Sequence, residues 1–305
     1  MLFLDGVGIG TRDAGRNPLF RARVPALRWL LGGELPSLRH RTVTGSLAGC
    51  IPLDANLGMA GLPQSGTGQT ALFTGVNGAA VAGKHFGPFP YSTLRPIIRD
   101  LNVFRQLKDG GKRVCFANAF PQRYFDYISQ RKTRITVTTL SCLYSGTPLL
   151  RYEDLSRGRG VSADVTGEGW VALGHPHVTI ITPSEAGNRL VGLAEDHEFV
   201  LFEYWKTDHA GHAQSMTEAV DVLERFDGLL EGIIHWLERR DTLVLLTSDH
   251  GNIEDLSVKS HTRNPVPLLV AGRMHKQYLS MVGISSNGRS GLCDITPALT
   301  RLLLR

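Results

Sequence analysis

Apolar positions along this chain follow two rhythms. Short continuous runs at 2–4 (LFL), 113–117 (RVCFA), 199–204 (FVLFEY), 243–246 (LVLL) and 268–271 (LLVA) suit strands buried on both faces of a sheet. Longer stretches repeat every three or four residues and predict helices. Over 96–108 the apolar face is Ile97, Ile98, Leu101, Phe104 and Leu107, and Gly110-Gly111 ends it. A second helix is expected over 183–196. A third, long one comes after the capping pair Ser215 and Glu218, with Val222, Leu223, Phe226, Leu229, Leu230, Ile233, Ile234 and Leu237 on its face. Asp294 opens a last helix that ends in Leu302-Leu303-Leu304. Strands alternating with helices predict an α/β fold, a three-layer αβα core around a mostly parallel sheet.

Two stretches break the rhythm. Residues 12–41 are basic, and Pro18, Pro25 and Pro36 cut them into short helices and loops. Residues 120–182 are aromatic, basic and glycine-rich, with one β-like run at 135–139. The expected organisation is a core made of 1–119 and 183–305, with 120–182 inserted as a small lid.

Composition narrows the partners. The chain has 305 residues, 42% of them hydrophobic and 20% charged, as a soluble globular protein would. No apolar run approaches the roughly 20 residues that span a bilayer, so no membrane partner is expected. The opening MLFLDG lacks a basic n-region and an apolar h-region, which points to the cytoplasm. Its LFL run is short for a strand and leaves room for a start a few residues upstream. Cys50, Cys115, Cys142 and Cys293 lie far apart without a CxxC pair, and read as reduced thiols. The formal charge is +5 and the pI about 9.1, yet no Lys/Arg run reaches five. That pattern argues against nucleic acid, and a small anionic substrate accounts for the balance as well.

Chemistry collects where the predicted strands end. Asp5 closes 2–4 and runs into a glycine-rich turn. Asp208 and His212 come after 199–204, and Asp249 and His250 after 243–246, with His261 further along the same loop. Ligands of open α/β sheets gather at the carboxyl ends of the strands. Taken singly, each position also reads as an ordinary turn or cap. In 58–78, GMAGLPQSGTGQTALFTGVNG, Ser65 and Gly66 precede a helix expected over 69–74, where exposed amides and the helix dipole suit a phosphate. No Gly-Lys-Ser/Thr comes next, which excludes a P-loop. Mixed carboxylate and imidazole donors suit zinc, manganese or iron better than calcium or magnesium. Six such ligands and a hydroxyl are too many for one ion and fit two ions sharing a phosphate.

The motif set resembles the alkaline phosphatase superfamily, in the branch of the cofactor-independent phosphoglycerate mutases and phosphopentomutases. LDGVG at 4–8, SGTGQ at 65–69, DHAGH at 208–212, SDHGN at 248–252 and HTRNPVP at 261–267 carry the resemblance. It implies an alkaline-phosphatase-like fold with two divalent metal ions, manganese or zinc. Asp5, Asp249 and His250 would hold one ion and Asp208, His212 and His261 the other. Ser65, a ligand and the nucleophile, would lie between them. Residues 120–182 are shorter than the mutases' cap and unlike it. The expected activity is therefore a phosphomonoesterase or phosphodiesterase working through phosphoserine at Ser65, acting on a small phosphorylated substrate. A phosphomutase is the alternative, and a metal-binding protein without turnover a further one. Gly66, Lys84, His85, Arg123, Lys206 and Arg263 lie on or near motif loops and are candidates to grip the substrate, although each charged one also reads as a solvated surface group.

Overall fold

A computed structural model describes residues 1–130, 134–237, 241–282 and 290–305. Among them eight strands form one sheet: β1 (Leu2–Leu4), β2 (Val43–Thr44), β3 (Ala48–Leu53), β4 (Val114–Ala119), β5 (Leu149–Leu150), β6 (Phe199–Tyr204), β7 (Val244–Thr247) and β8 (Val266–Ala271). Their order is β2-β3-β8-β7-β1-β6-β4-β5. From β7 to β5 all neighbours are parallel, whereas the pairs β7–β8, β8–β3 and β3–β2 are antiparallel.

Side chains alternate between the two faces of the sheet. Leu2, Leu4, Phe202, Tyr204 and Leu246 pack under helices Pro183–Asp196 and Met216–Leu237. Phe3, Leu201, Leu245 and Val270 pack against helices Ser65–Thr74, Val103–Asp109, Val137–Ser145 and Ile295–Leu303. The core thus has the three layers expected, an αβα arrangement around a mostly parallel sheet. No helix among the described residues is long and apolar enough to cross a membrane.

Several elements differ from the sequence pattern. The apolar face of 96–108 belongs to two helices, Arg95–Leu101 and Val103–Asp109, because Asn102 leaves helical geometry and accepts the Arg105 amide at 3.0 Å as a cap. The β-like run at 135–139 is corrected: Thr136 caps the helix Val137–Ser145, whose buried Val137, Thr138 and Thr139 face the core. Branched residues there serve packing, which overrides their strand preference. Strand β3 has no clear signature in the sequence because Gly49 and Pro52 interrupt its pattern; Pro52 pairs opposite Pro267 of β8.

Residues 120–182 divide into two kinds of structure. Strand β5 adds to the main sheet beside β4, and helix Val137–Ser145 is packed into the core. Helix Gln122–Ser129 has no fully buried residue, and its Tyr127 and Ile128 pack partly buried against the same core.

The antiparallel strands determine what meets at the functional edge. Thr247, at the end of β7, pairs with Leu268 near the start of β8, and Val266 pairs with Leu53 at the end of β3. The loop before β8 and the connection after β3 therefore lie at the same edge as the ends of β1, β6 and β7.

Phe3 has no exposed surface and meets Phe73 edge-on, with ring centroids 5.2 Å apart. Phe3→Ala is expected to lower the unfolding free energy by about 3–5 kcal/mol, read as a fall in the urea midpoint at unchanged m-value.

Candidate metal centre

Asp5 leaves β1 with its amide bonded to the Tyr204 carbonyl at 3.2 Å. The chain turns at Gly6, whose φ of +70° and 2.5 Å clearance between an added Cβ and Asp208 Oδ1 admit no side chain. The Gly6 amide lies 3.4 Å from Asp249 Oδ1, and the Val7 amide donates to Ser248 Oγ at 2.8 Å. Beyond β6, helix Lys206–Ala213 begins at once, so Asp208 and His212 share one helical face. Thr207 Oγ1 donates to the Asp5 carbonyl at 2.5 Å and ties this helix to β1. Ser65 is the first residue of helix Ser65–Thr74, after Gln64 in extended conformation. Gly68, one turn on, allows this helix to rest on the Asp249 backbone, where an added Cβ would come within 2.7 Å of the carbonyl oxygen.

The site contains two donor groups. In each of the sets Asp5, Asp249, His250 and Asp208, His212, His261, one donor atom per residue lies within 4.8 Å of the others. His250 Nε2 is 3.0 Å from Ser65 Oγ, 3.2 Å from Asp5 Oδ1 and 3.6 Å from Asp249 Oδ2. In the other set, His212 Nε2 is 3.3 Å from Asp208 Oδ2 and 3.2 Å from His261 Nε2. The His250 and His261 rings stack at 3.8 Å, which joins the sets side by side. All seven residues expected as ligands or nucleophile are therefore brought together.

The donors suit divalent cations. Asp5 Oδ1 and Asp249 Oδ2 are buried without a hydrogen bond, an arrangement that is costly unless something positive completes it. His212 Nδ1 sits 2.9 Å from the Lys259 carbonyl and His261 Nδ1 sits 2.7 Å from the Pro63 carbonyl. Those bonds place the proton on Nδ1 and turn two Nε2 lone pairs toward each other and toward Asp208. Lone pairs converging in this way offer a seat that a cation can share, and carbonyl-anchored imidazoles are usual metal donors.

Electrostatics without a cation are correspondingly strained. Burial, then Asp249, raises the Asp5 carboxyl to about 8. Burial also raises Asp249, partly offset by His250. Burial alone would lower His250, but Asp249 and then Asp5 outweigh it and lift the imidazole to about 10. His261 falls to about 4 through burial and the neighbouring His250.

Residues that the sequence did not mark as functional hold this cluster in place. The 3%-exposed Glu254 accepts the Gly8 amide at 2.9 Å, the Asn252 amide at 2.7 Å, Asn264 Nδ2 at 3.0 Å and the Thr262 hydroxyl. It ties the segment after β1 to both ends of the β7–β8 connection. Asn252 Nδ2 donates to Asp208 Oδ1 at 2.7 Å, and Gln69 Nε2 lies 3.4 Å from Asp5 Oδ2. Asn252 and Gln69 fall inside the SDHGN and SGTGQ motifs, but Glu254 carries no sequence signal beyond its nearness to one.

The substrate candidates are more scattered. Gly66 lies in the first turn after Ser65, its absent Cβ making room for the Phe86 and Phe89 carbonyls. His85 is half-buried near Gly61, and its ring nitrogens are closed off from solvent. Arg263 is exposed and donates to the Gly61 carbonyl at 3.0 Å. Lys206 lies over the Trp205 ring at 4.8 Å, Lys84 over Phe86 at 5.9 Å, and Arg123 is exposed on helix Gln122–Ser129.

Comparison with known proteins bears on the fold and on what the chain is similar to. Residues 181–304 match the family described as the Metalloenzyme superfamily. A 2,3-bisphosphoglycerate-independent phosphoglycerate mutase from Antithamnion sp. is 31% identical over 114 residues, 35% of this chain and 21% of that protein. One from Pyrococcus furiosus is 30% identical over 123 residues, 38% of this chain and 29% of that protein. The matched part thus spans less than a third of the length of these relatives. Two solved structures share the fold. The PH0037 protein from Pyrococcus horikoshii has a TM-score of 0.54 at 14% identity, covering 99% of this chain and 96% of the other. The alkaline phosphatase of the Antarctic bacterium TAB5 has a TM-score of 0.51 at 11% identity, covering 99% and 97%. The fold is alkaline-phosphatase-like, and residues 181–304 carry the similarity to the metalloenzyme superfamily.

Because Asp5 and Asp249 titrate above the usual carboxylate range, the metal-free chain is stabilised by their protons at low pH and loses that contribution as pH rises toward about 8. Cation binding has to displace the same protons. Manganese or zinc is therefore expected to raise the melting temperature of chelator-treated protein more at pH 8 than at pH 6. Calorimetry in buffers of different ionisation enthalpy should show proton release on binding.

Proposed function

We propose that this chain is a divalent-metal-dependent phosphoryl-transfer enzyme in which Ser65 carries the phosphoryl group from donor to acceptor. The observation that carries the reading is the Ser65 hydroxyl: 5% exposed, at a helix N-terminus, and 3.0 Å from His250 Nε2, which belongs to one of two adjoining donor sets. Asp5, Asp249 and His250 would hold one ion, manganese or zinc, and Asp208, His212 and His261 a second. Bound there, the ions supply Lewis-acid activation of the serine hydroxyl and counter-charge for the phosphoryl oxygens.

The chain's own groups do the rest. Ser65 Oγ attacks phosphorus in line, the donor's ester O–P bond breaks, and a phosphoserine ester forms while the leaving oxygen takes up a proton. The positive end of the Ser65–Thr74 dipole favours the dianionic ester. An acceptor oxygen then attacks the same phosphorus from the opposite side and releases Ser65.

The acceptor decides the reaction. A second hydroxyl of the same small substrate makes a phosphomutase, the reading favoured by the mutase names of the matching relatives. Water makes a phosphomonoesterase or phosphodiesterase. One observation favours that second reading: the His212 side chain is 40% exposed, so the outer donor set is open to solvent. Retention of an intermediate in the mutase reading falls to the 120–182 segment, with helix Gln122–Ser129 as its outer part.

With manganese or zinc and phosphorylated substrates, including 3-phosphoglycerate, Ser65→Ala is expected to lower turnover by about 10³-fold or more while metal content stays unchanged. Acid quenching of the wild type should leave phosphate on the peptide carrying Ser65. Inorganic phosphate as product identifies the hydrolase, and an isomeric phosphate ester the mutase. Near-normal turnover in Ser65→Ala would sink the serine mechanism. A wild type that binds metal but never becomes phosphorylated or turns over would be a binding protein.

A further inference from the structure

The two donor sets come from loops far apart in sequence, and one buried carboxylate touches segments that carry both. Glu254, in the connection between β7 and β8, uses each of its oxygens twice. Oε2 accepts the Gly8 amide at 2.9 Å and the Asn252 amide at 2.7 Å. Oε1 accepts Asn264 Nδ2 at 3.0 Å and the Thr262 hydroxyl. Gly8 comes shortly after Asp5, and Asn252 shortly after His250, so Oε2 serves the inner set of Asp5, Asp249 and His250. Thr262 follows His261 directly, so Oε1 serves the outer set of Asp208, His212 and His261. Asn252 adds a further link, since its Nδ2 donates to Asp208 Oδ1 at 2.7 Å.

The carboxylate is built into this place. An added Cβ on Gly8 or Gly251 would overlap the Glu254 carboxyl group, so these two glycines leave the space that it fills. The Gly251 carbonyl accepts the Thr262 amide at 2.9 Å, which holds the two ends of the connection in one register. All the neighbours bonded to the carboxylate are donors, a set that only an acceptor on both oxygens satisfies. A shift of His261 toward an ion therefore pulls on Thr262. Through Glu254 it then pulls on the amides beside Asp5 and His250.

We propose that Glu254 is a positioning residue that couples the two ion sites. Its bonds set the spacing of the donor sets, so occupancy of one set fixes the geometry of the other. The coupling runs equally in both directions, as linkage between two binding sites requires. Groups that hold metal ligands from behind change metal affinity by about 10–100-fold when they are removed. The proposal rests on the two-ion part of the phosphoryl-transfer reading and on none of its chemical steps.

The test uses the whole chain, treated with chelator and then titrated with manganese alone. Electron paramagnetic resonance reads free manganese by its free-ion signal and a bound pair by the exchange-coupled signal of adjoining ions. Thr262→Val cuts the tie at the outer set and nearly keeps the side-chain shape. Its second manganese is expected to bind about tenfold or more weakly, with the first unchanged, and the coupled signal should give way to that of isolated ions. Glu254→Ala should weaken both ions. Glu254→Gln keeps one oxygen for the two backbone amides, and Thr262 and Asn264 can turn to accept from its NH₂. It should therefore restore most of the affinity lost in Glu254→Ala. The melting temperature of each metal-free variant separates loss of fold from loss of coupling.

A wild type that binds two ions, with Thr262→Val binding both as tightly, overturns the coupling alone. So does an equal loss of both ions in Thr262→Val, or a lower melting temperature with unchanged manganese affinities. Glu254→Gln no better than Glu254→Ala assigns the effect to charge and overturns the positioning role. A wild type that binds a single manganese overturns the two-ion reading, and the coupling with it.

Discussion

Asp5, Asp208 and Asp249 converge at one edge of the sheet, and like charges placed this close in a poorly hydrated site cannot all stay ionised without positive charge among them. The metal-free chain answers with protons: Asp5 and Asp249 are pushed up, and His250 is held as a cation between them. Divalent cations answer better, because each can meet several donors at once and leave none of the buried oxygens orphaned. Much of the surrounding structure serves this confluence. Gly6 and Gly68 remove bulk where ligand loops touch, and Glu254 collects the amides and side chains that fix those loops to one another. Glu254 adds a fourth carboxylate close by, buried and satisfied by hydrogen bonds rather than by a cation.

The confluence rests on a change of strand direction. Strands β1, β6, β7 and β3 run in one direction, so the segments leaving them bring Asp5, the Asp208–His212 helix, Asp249-His250 and the chain leading to Ser65 to one edge. The antiparallel β8 turns its beginning toward that edge and delivers His261. The bond from His261 Nδ1 to the Pro63 carbonyl joins His261 to the chain leading to Ser65. Ser65 and His250 are 185 positions apart in sequence and 3.0 Å apart in space as a result.

The two donor sets are unequal. Asp249 and His250 have no exposed side-chain surface, whereas Asp208 is 20% and His212 40% exposed. Burial strengthens electrostatic interactions at the inner set and ties it to Ser65, while the outer set faces incoming molecules. In the proposed phosphoryl transfer, the first condition suits a nucleophile that must be activated and the second suits exchange of one oxygen acceptor for another.

The sequence by itself determined the layers and which acidic and imidazole side chains gather at one edge. Continuous apolar runs mark buried strands because both faces of a parallel sheet are covered, and that rule located β1, β6, β7 and β8 to within two residues. The donors were legible because each comes after such a run within a short motif, so local order already places it at a strand end. Tertiary structure decided what local pattern cannot encode. Strand β3 pairs despite Gly49 and Pro52, and the branched residues at 137–139 became helical, since packing against distant partners outweighs local preference. Glu254 looked like any loop acid, and its value lies wholly in partners brought to it by the fold. His85 comes soon after the SGTGQ motif in sequence, yet its ring nitrogens are closed off beside Gly61. Sequence proximity fixes which residues can reach an edge, but the direction a side chain finally takes is set by the neighbours that enclose it.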